Sequence, residues 1–157
     1  MQIPIVNEND QVIRHIERDD RDENLIYRVS YLWITDTDGK VLLARRSPSK
    51  NHSPNMWGPA VAGTVEGDET YEENIIKEAR EELGLENIKP TTGAKQRVRS
   101  KYQYFRQEFL LTLPTGFNDF KIQEDEVAEV RWFTKTELVR AVAERPEDFL
   151  EIVRERK

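Results

Sequence analysis

Gly63-Thr64-Val65-Glu66-Gly67-Asp68-Glu69-Thr70-Tyr71-Glu72-Glu73-Asn74-Ile75-Ile76-Lys77-Glu78-Ala79-Arg80-Glu81-Glu82-Leu83-Gly84-Leu85 is the stretch on which the reading of this chain turns. Thr70 followed by Glu73 is a capping-box pattern, in which side chain and backbone satisfy two orphan donors at a helix start. Gly84 supplies the stop. Between them Ile75, Ile76, Ala79 and Leu83 recur at helical spacing, so one face of the helix packs against a core. Glu78, Glu81 and Glu82 share another face, being separated by three, four and one positions. Like charges so placed cost about a few tenths of a kcal/mol per pair unless a cation sits among them. A hard divalent cation, magnesium (Mg2+) or manganese (Mn2+), is the natural compensator: it accepts carboxylate oxygen and leaves positions that phosphate oxygens fill.

The charge of the chain is concentrated in this stretch. From Glu66 to Glu86 nine acids stand against Lys77 and Arg80, while the whole chain carries a net charge of −6. The remainder is close to neutral, which weighs against a nucleic-acid polymer as partner. With 157 residues, 37% hydrophobic and 34% charged, the sequence is expected to form one globular domain over 1–157, residues 1–23 being an N-terminal hairpin extension. No window reaches the length of a membrane span, and the N-terminus lacks a basic start and an apolar leader core, so a cytoplasmic protein without a membrane partner is expected. The absence of Cys excludes disulfides and thiolate metal sites, and with only His15 and His52 present any metal is held mostly by oxygen.

Outward from the helix, Ile3–Val6 and Gln11–Ile16 read as strands joined through the turn-forming Asn7-Glu8-Asn9-Asp10. Val29–Thr35 has the unbroken β-branched and aromatic character of a strand buried on both faces, and it pairs as a hairpin with Val41–Ala44. Ser47–Trp57 is a loop, followed by a short strand Ala60–Thr64. Gln96–Tyr104, Gln107–Leu113 and Val127–Phe133 read as strands, with a turn over Pro114–Asn118. Thr134 with Glu137 repeats the capping box for a helix through Leu138 and Val142. Pro146 opens a last helix carrying Phe149, Leu150 and Val153. The order of elements predicts an α/β fold of the α+β kind, a mixed β-sheet with helices packed on its faces. Trp33 is expected in the core and Trp57 in packing beside the loop. Tyr102, Tyr104 and Phe105 are ambiguous between packing and a ligand wall, and His52 is an ordinary loop histidine unless the fold brings it to the glutamates.

The spacing Gly63, Glu69, Lys77-Glu78-Ala79-Arg80-Glu81-Glu82-Leu83-Gly84-Leu85 strongly resembles the Nudix box, departing from it where Lys77 replaces the family's Arg. The resemblance implies a Nudix α/β/α sandwich with a loop-helix-loop, and divalent-metal-dependent hydrolysis of a small-molecule diphosphate. It carries the metal ligands onto Glu78 and Glu82, with Glu81 and the Gly63 carbonyl, and makes Glu69 the residue that orients the loop. The base that deprotonates the attacking water comes in this family from the box or from a loop outside it. Glu124 and Glu126 are the outside candidates, Glu124 as a further ligand and Glu126 as the catalytic carboxylate. Lys77 lacks the planar fork with which an Arg braces Glu69, and is expected to loosen the site.

A second resemblance, carried by Val41-Leu42-Leu43-Ala44-Arg45-Arg46-Ser47, Lys50, Pro54, Trp57 and Glu124-Asp125-Glu126-Val127, is to isopentenyl-diphosphate isomerase and its hydrolase-like relatives. It implies that Arg46 and Lys50 grip the diphosphate. The isomerase's reactive Cys falls at about Ala62, and two of its histidine ligands fall near Tyr27 and Thr64, so the resemblance favours the hydrolases. A catalytically weak ligand-binding module is the alternative, with isomerase chemistry behind it. The Nudix resemblance also implies a homodimer. Light scattering is expected to give twice the 18.5 kDa of one chain, and a monomer mass rejects the dimer.

Overall fold

The computed structural model describes residues 1–156. Strands β1 (Gln2–Val6) and β2 (Val12–Glu17) form the N-terminal hairpin, followed by β3 (Ile26–Asp36), β4 (Val41–Arg46), β5 (Trp57–Pro59) and β6 (Val61–Thr64). Helix α1 (Tyr71–Leu83) then leads to β7 (Thr91–Arg99), β8 (Gln103–Leu113), β9 (Val127–Phe133), α2 (Lys135–Glu144) and α3 (Glu151–Glu155). All nine strands join one hydrogen-bonded network. Its spine is the parallel pairing of β3 with β8, in register from Ile26↔Gln103 to Asp36↔Leu113. The remaining strand pairs are antiparallel, so the sheet is mixed.

Alternation along β3 explains the layers. Leu32 and Ile34 face one side, where Ile75, Ala79 and Leu83 of α1 close the core with Leu42 and Phe109. Trp33 faces the other, packing with Leu43, Trp57, Phe133, Ile152 and Val153 beneath α2 and α3. A strand with helices on both faces must be apolar where they cover it, and the Leu32-Trp33-Ile34 run of β3 supplies this. Helix α1 starts with both arms of the Thr70–Glu73 capping box and ends at Gly84 in the left-handed conformation (φ 69°). A side chain at Gly84 would also meet Lys121 Cβ at 2.8 Å.

Several boundaries differ from the sequence expectation. The segment expected as the strand Gln96–Tyr104 instead contains a turn, fixed where Ser100 Oγ and Ser100 N both donate to the Tyr102 carbonyl at 3.1 Å. Such local bonds compete with the ladder. The expected β3–β4 hairpin pairs over only Ile34↔Leu42 and Thr35↔Val41, because β6 and β8 take the rest of β3. Trp57 lies in a strand of its own, paired to Arg45. The last helix is broken: Pro146–Asp148 is a single 3-10 turn, and α3 begins only after Leu150, whose N–H donates to the Trp57 carbonyl at 2.9 Å. Thr134 accepts from the Glu137 N–H at 3.0 Å, one arm of the expected box.

The N-terminal hairpin is tied to the body by a charge cluster. Asp10, at φ 59°, receives Arg28 Nε and Lys95 Nζ at 2.7 Å and the Tyr71 hydroxyl at 2.9 Å. Burial would raise the Asp10 carboxyl, but bonds from Lys95, Arg28 and Tyr71 outweigh it and hold it below the ordinary value. A carboxyl depressed in the folded state contributes stability that is complete above its unfolded value and is lost as the pH falls through the folded one. Asp10→Asn is expected to destabilise the protein by about 3 kcal/mol at neutral pH, since Arg28 loses its partner. In urea melts the gap to the unsubstituted protein should close below about pH 4, and a pH-independent gap rejects this role.

Candidate active site

Helix α1 lies against β6 and β3, and the cavity of about 560 Å³ beside it is where the sequence candidates meet. Gly63, Glu78, Glu81, Glu82, Glu126, Arg46 and Lys50 all line it. Glu124 does not: it is exposed and is not among the residues that line the cavity. Ala62, Tyr27 and Thr64 line the same cavity, as do His52, Tyr102 and Tyr104. His52 is therefore close to the box; its ring meets Tyr102 edge-on at 5.9 Å. Trp57 belongs to the core instead, edge-to-face with Phe133 at 5.4 Å, and Phe105 packs in the core with Val6 and Ile26.

The sequence puts the apolar stripe and the glutamates on separate faces of α1, yet Glu82 is itself only 7% exposed. It stands where the stripe meets the cavity wall. Burial pushes the Glu82 carboxyl well above the usual carboxylate range, with the neighbouring Glu78 and Glu126 acting in the same direction and Lys50 opposing them. Glu78 is raised too, by burial first; the hydrogen bond with Glu82 and the nearby Lys77 lower it, while Glu81 adds to the rise. Two neighbouring carboxyls partly withdrawn from water disfavour each other's charge, which a bound cation would relieve. Glu81 is exposed at the rim, and among the described residues no group of three His, Asp or Glu side chains is already gathered to ligand distance. Gly63 leaves room for the pair: a Cβ there would lie 2.5 Å from Glu78 Cγ.

The loop before α1 is latched by Glu69. One of its oxygens accepts from the Glu66 N–H at 2.8 Å and Asn74 Nδ2 at 3.2 Å, and the other receives Lys77 Nζ at 2.7 Å. Burial would raise Glu69, but Lys77, the Glu66 N–H and Asn74 outweigh it and the carboxyl is lowered. Lys77 Nζ also lies 3.5 Å from Glu66 and 3.9 Å from Glu78. The expected loosening by Lys77 is not visible in these contacts: the ammonium reaches Glu69 at one point, and the backbone and Asn74 hold the other oxygen. Sequence reading missed Asn74 and Ser30. Asn74 is fully buried, donates to the Thr64 carbonyl at 3.0 Å, and accepts the Ser30 hydroxyl. A polar residue interrupting the apolar helix face next to Ile75 was the available signal.

On the opposite wall Lys50 Nζ is paired with the Glu126 carboxylate. Arg46 Nε donates to the His52 carbonyl at 3.0 Å, with no carboxylate at ion-pair distance among the described residues. Its guanidinium is lowered by burial, against the pull of Glu126, Tyr31 and Glu82. The result is an acidic floor facing a basic wall, an arrangement that suits a cation below and a phosphate chain above.

A family model for the NUDIX domain matches residues 25–152. YfcD of Escherichia coli K12, named an uncharacterized Nudix hydrolase, is 33% identical over 137 residues, covering 87% of this chain and 75% of that protein. A Nudix hydrolase of Deinococcus radiodurans is 41% identical over 87 residues, 54% of this chain and 50% of its own length. Among solved structures, DR0079 of Deinococcus radiodurans matches with a TM-score of 0.79 and 27% identity over 98% of each chain. The chain belongs to the Nudix family, and with it to the hydrolases that act on acid anhydrides. Enzymes of this family in general use divalent metals.

Asn74→Ala removes the partner of Ser30, Thr64 and Glu69 together. It is expected to cost about 2 to 3 kcal/mol in denaturant melts, because buried polar groups are left unpaired. A loss under about 0.5 kcal/mol would mean that water replaces the amide.

Proposed function

We propose that this chain is a magnesium- or manganese-dependent pyrophosphohydrolase of the isomerase-like Nudix branch, cleaving the phosphoanhydride of a nucleoside diphosphate derivative or similar small diphosphate. The observation that carries this reading is the pairing of buried Glu82 with half-buried Glu78 on the floor of a cavity whose facing wall is basic. The donor set is oxygen throughout, which fits a hard divalent cation. Glu78 and Glu82, joined by Glu81 and the Gly63 carbonyl, would hold it; Gly63 has no side chain to displace Glu78. A cation there would neutralise the diphosphate and lower the pKa of a bound water.

The chain's own groups then divide the work. Glu126 takes the proton from the attacking water, and its present partner Lys50 turns to the phosphate oxygens once substrate arrives. Arg46 offers its remaining N–H groups to the same diphosphate. Glu124, exposed and outside the cavity, takes no part. Isomerase chemistry is disfavoured because Ala62, Tyr27 and Thr64, lining the cavity at the positions compared with that enzyme, supply neither a thiol nor an imidazole.

The test incubates the protein with magnesium or manganese and a panel of nucleotide sugars, dinucleoside polyphosphates, deoxynucleoside triphosphates and prenyl diphosphates. Turnover is expected to vanish in EDTA and to fall by at least about a hundredfold in Glu82→Gln. Metal binding without turnover of any compound would favour a binding module, and isomerisation of isopentenyl diphosphate would overturn the proposal.

A further inference from the structure

Beyond the glutamate floor the cavity continues outward into a second space of about 540 Å³ that shares Arg46, Lys50, His52, Tyr102 and Glu126 with it. Arg18 and Arg21, which follow the N-terminal hairpin, line both. The Arg21 guanidinium is stacked on two tyrosines, its carbon 4.5 Å from the Tyr27 ring centre and 5.1 Å from that of Tyr102. Contact with ring faces uses no hydrogen-bond donor, so the guanidinium N–H groups stay available to an anion. Among the described residues neither Arg18 nor Arg21 has a carboxylate at ion-pair distance or a side-chain hydrogen-bond acceptor, although Asp19 and Asp125 line the same outer space. Lys50, by contrast, is already neutralised by Glu126. A cavity wall that holds an oriented guanidinium fork without an acceptor is built for an anion the chain does not provide.

We propose that Arg18 and Arg21 form a second anion subsite, which binds a phosphate monoester carried by the substrate outside the diphosphate that is cleaved. The proposal rests on the hydrolase reading for the identity of the first site. The substrate class is then narrower than a diphosphate: it is a nucleotide-type diphosphate whose non-reacting end carries its own phosphate. The phosphate packs against the in-plane N–H groups of Arg21, while Tyr102 and Tyr27 keep the fork in place. Arg18, more exposed, adds charge at the rim that salt screens readily.

The test uses two matched pairs that differ by one phosphate monoester, NADPH against NADH and coenzyme A against dephospho-coenzyme A. For each pair the ratio of kcat/KM is measured in the unsubstituted protein and in Arg18→Gln/Arg21→Gln, with manganese or magnesium. Binding ratios are measured by calorimetry in the Glu82→Gln background. In at least one pair the phosphorylated member is expected to be preferred by about tenfold or more, with the preference falling to near unity in the double variant. Equal use of both members of each pair, or a preference that survives the double substitution, overturns the subsite. Loss of thermal stability in the variant with no change in the ratio makes Arg21 a packing residue and also overturns it. If no compound is turned over, the hydrolase reading fails separately. The binding ratios then decide the subsite: a phosphate preference removed by the double substitution sustains it, and equal or undetectable binding rejects it.

Discussion

Setting Glu82, buried, beside the half-buried Glu78 is the constraint that the rest of this molecule answers. Each additional carboxylate taken out of water on α1 works against the helix, so its stability must come from elsewhere. Three features supply it. Ile75, Ala79 and Leu83 anchor the helix in the core, the Thr70–Glu73 box closes its start, and Asn74 ties its first turn to β6 and β3. None of these hydrogen-bonds to either carboxyl. The helix is thus held by groups that can stay in place while the pair changes protonation or takes a cation.

The same separation operates across the cavity. Its floor is carried on a helix and its basic wall on the end of β4 and the loop after it, elements joined through the sheet and through the segment before β9, where the Gln123 N–H donates to the Glu82 carbonyl and the Ser47 N–H to the Glu126 carbonyl. Because Gly63 of β6 passes beside Glu78 with no room for a Cβ, the distance from strand to helix is set by backbone packing. The basic wall has more freedom. Arg46 is held by one backbone carbonyl, and Lys50 by an ion pair that a phosphate can replace at similar electrostatic gain. Rigid carboxylates opposite adjustable cations favour a ligand that first orders the wall and then fixes the reacting bond over the floor.

How much of this the sequence discloses depends on range. The α1 helix, its caps and its buried stripe are written within neighbouring residues, so capping chemistry and periodicity disclose them directly. The box glutamates are legible for the same reason. Glu124 and Glu126 are both site candidates in the sequence, and only the turn that leads into β9 decides that Glu126 lines the cavity while Glu124 does not. The register of β7 against β8 was also out of reach: its polar alternation continues through Arg99, and only the Ser100–Tyr102 bonds mark the turn. Ser30 and Asn74 meet across 44 positions because α1 docks on β3, and Arg21 meets Tyr102 because β3 pairs with β8, contacts that no local pattern encodes.

That pairing also gives the N-terminal hairpin its place at the site. The Gly67 N–H, in the loop that opens the box, donates to the Gln2 carbonyl at 2.8 Å, and His15 Nε2 lies 3.0 Å from the Gly67 carbonyl. Asp10 at the hairpin tip binds Arg28 of β3, Tyr71 at the start of α1 and Lys95 of β7. The hairpin is therefore fastened to both ends of the Glu69 loop, and the chain leaving it carries Arg18 and Arg21 to the cavity mouth. A segment fastened in this way loses little further freedom when its arginines meet an anion, so most of the interaction is available for binding. Disturbing the hairpin would act on the loop before α1 and on the mouth together, which makes it part of the site's architecture despite its distance from the glutamates in sequence.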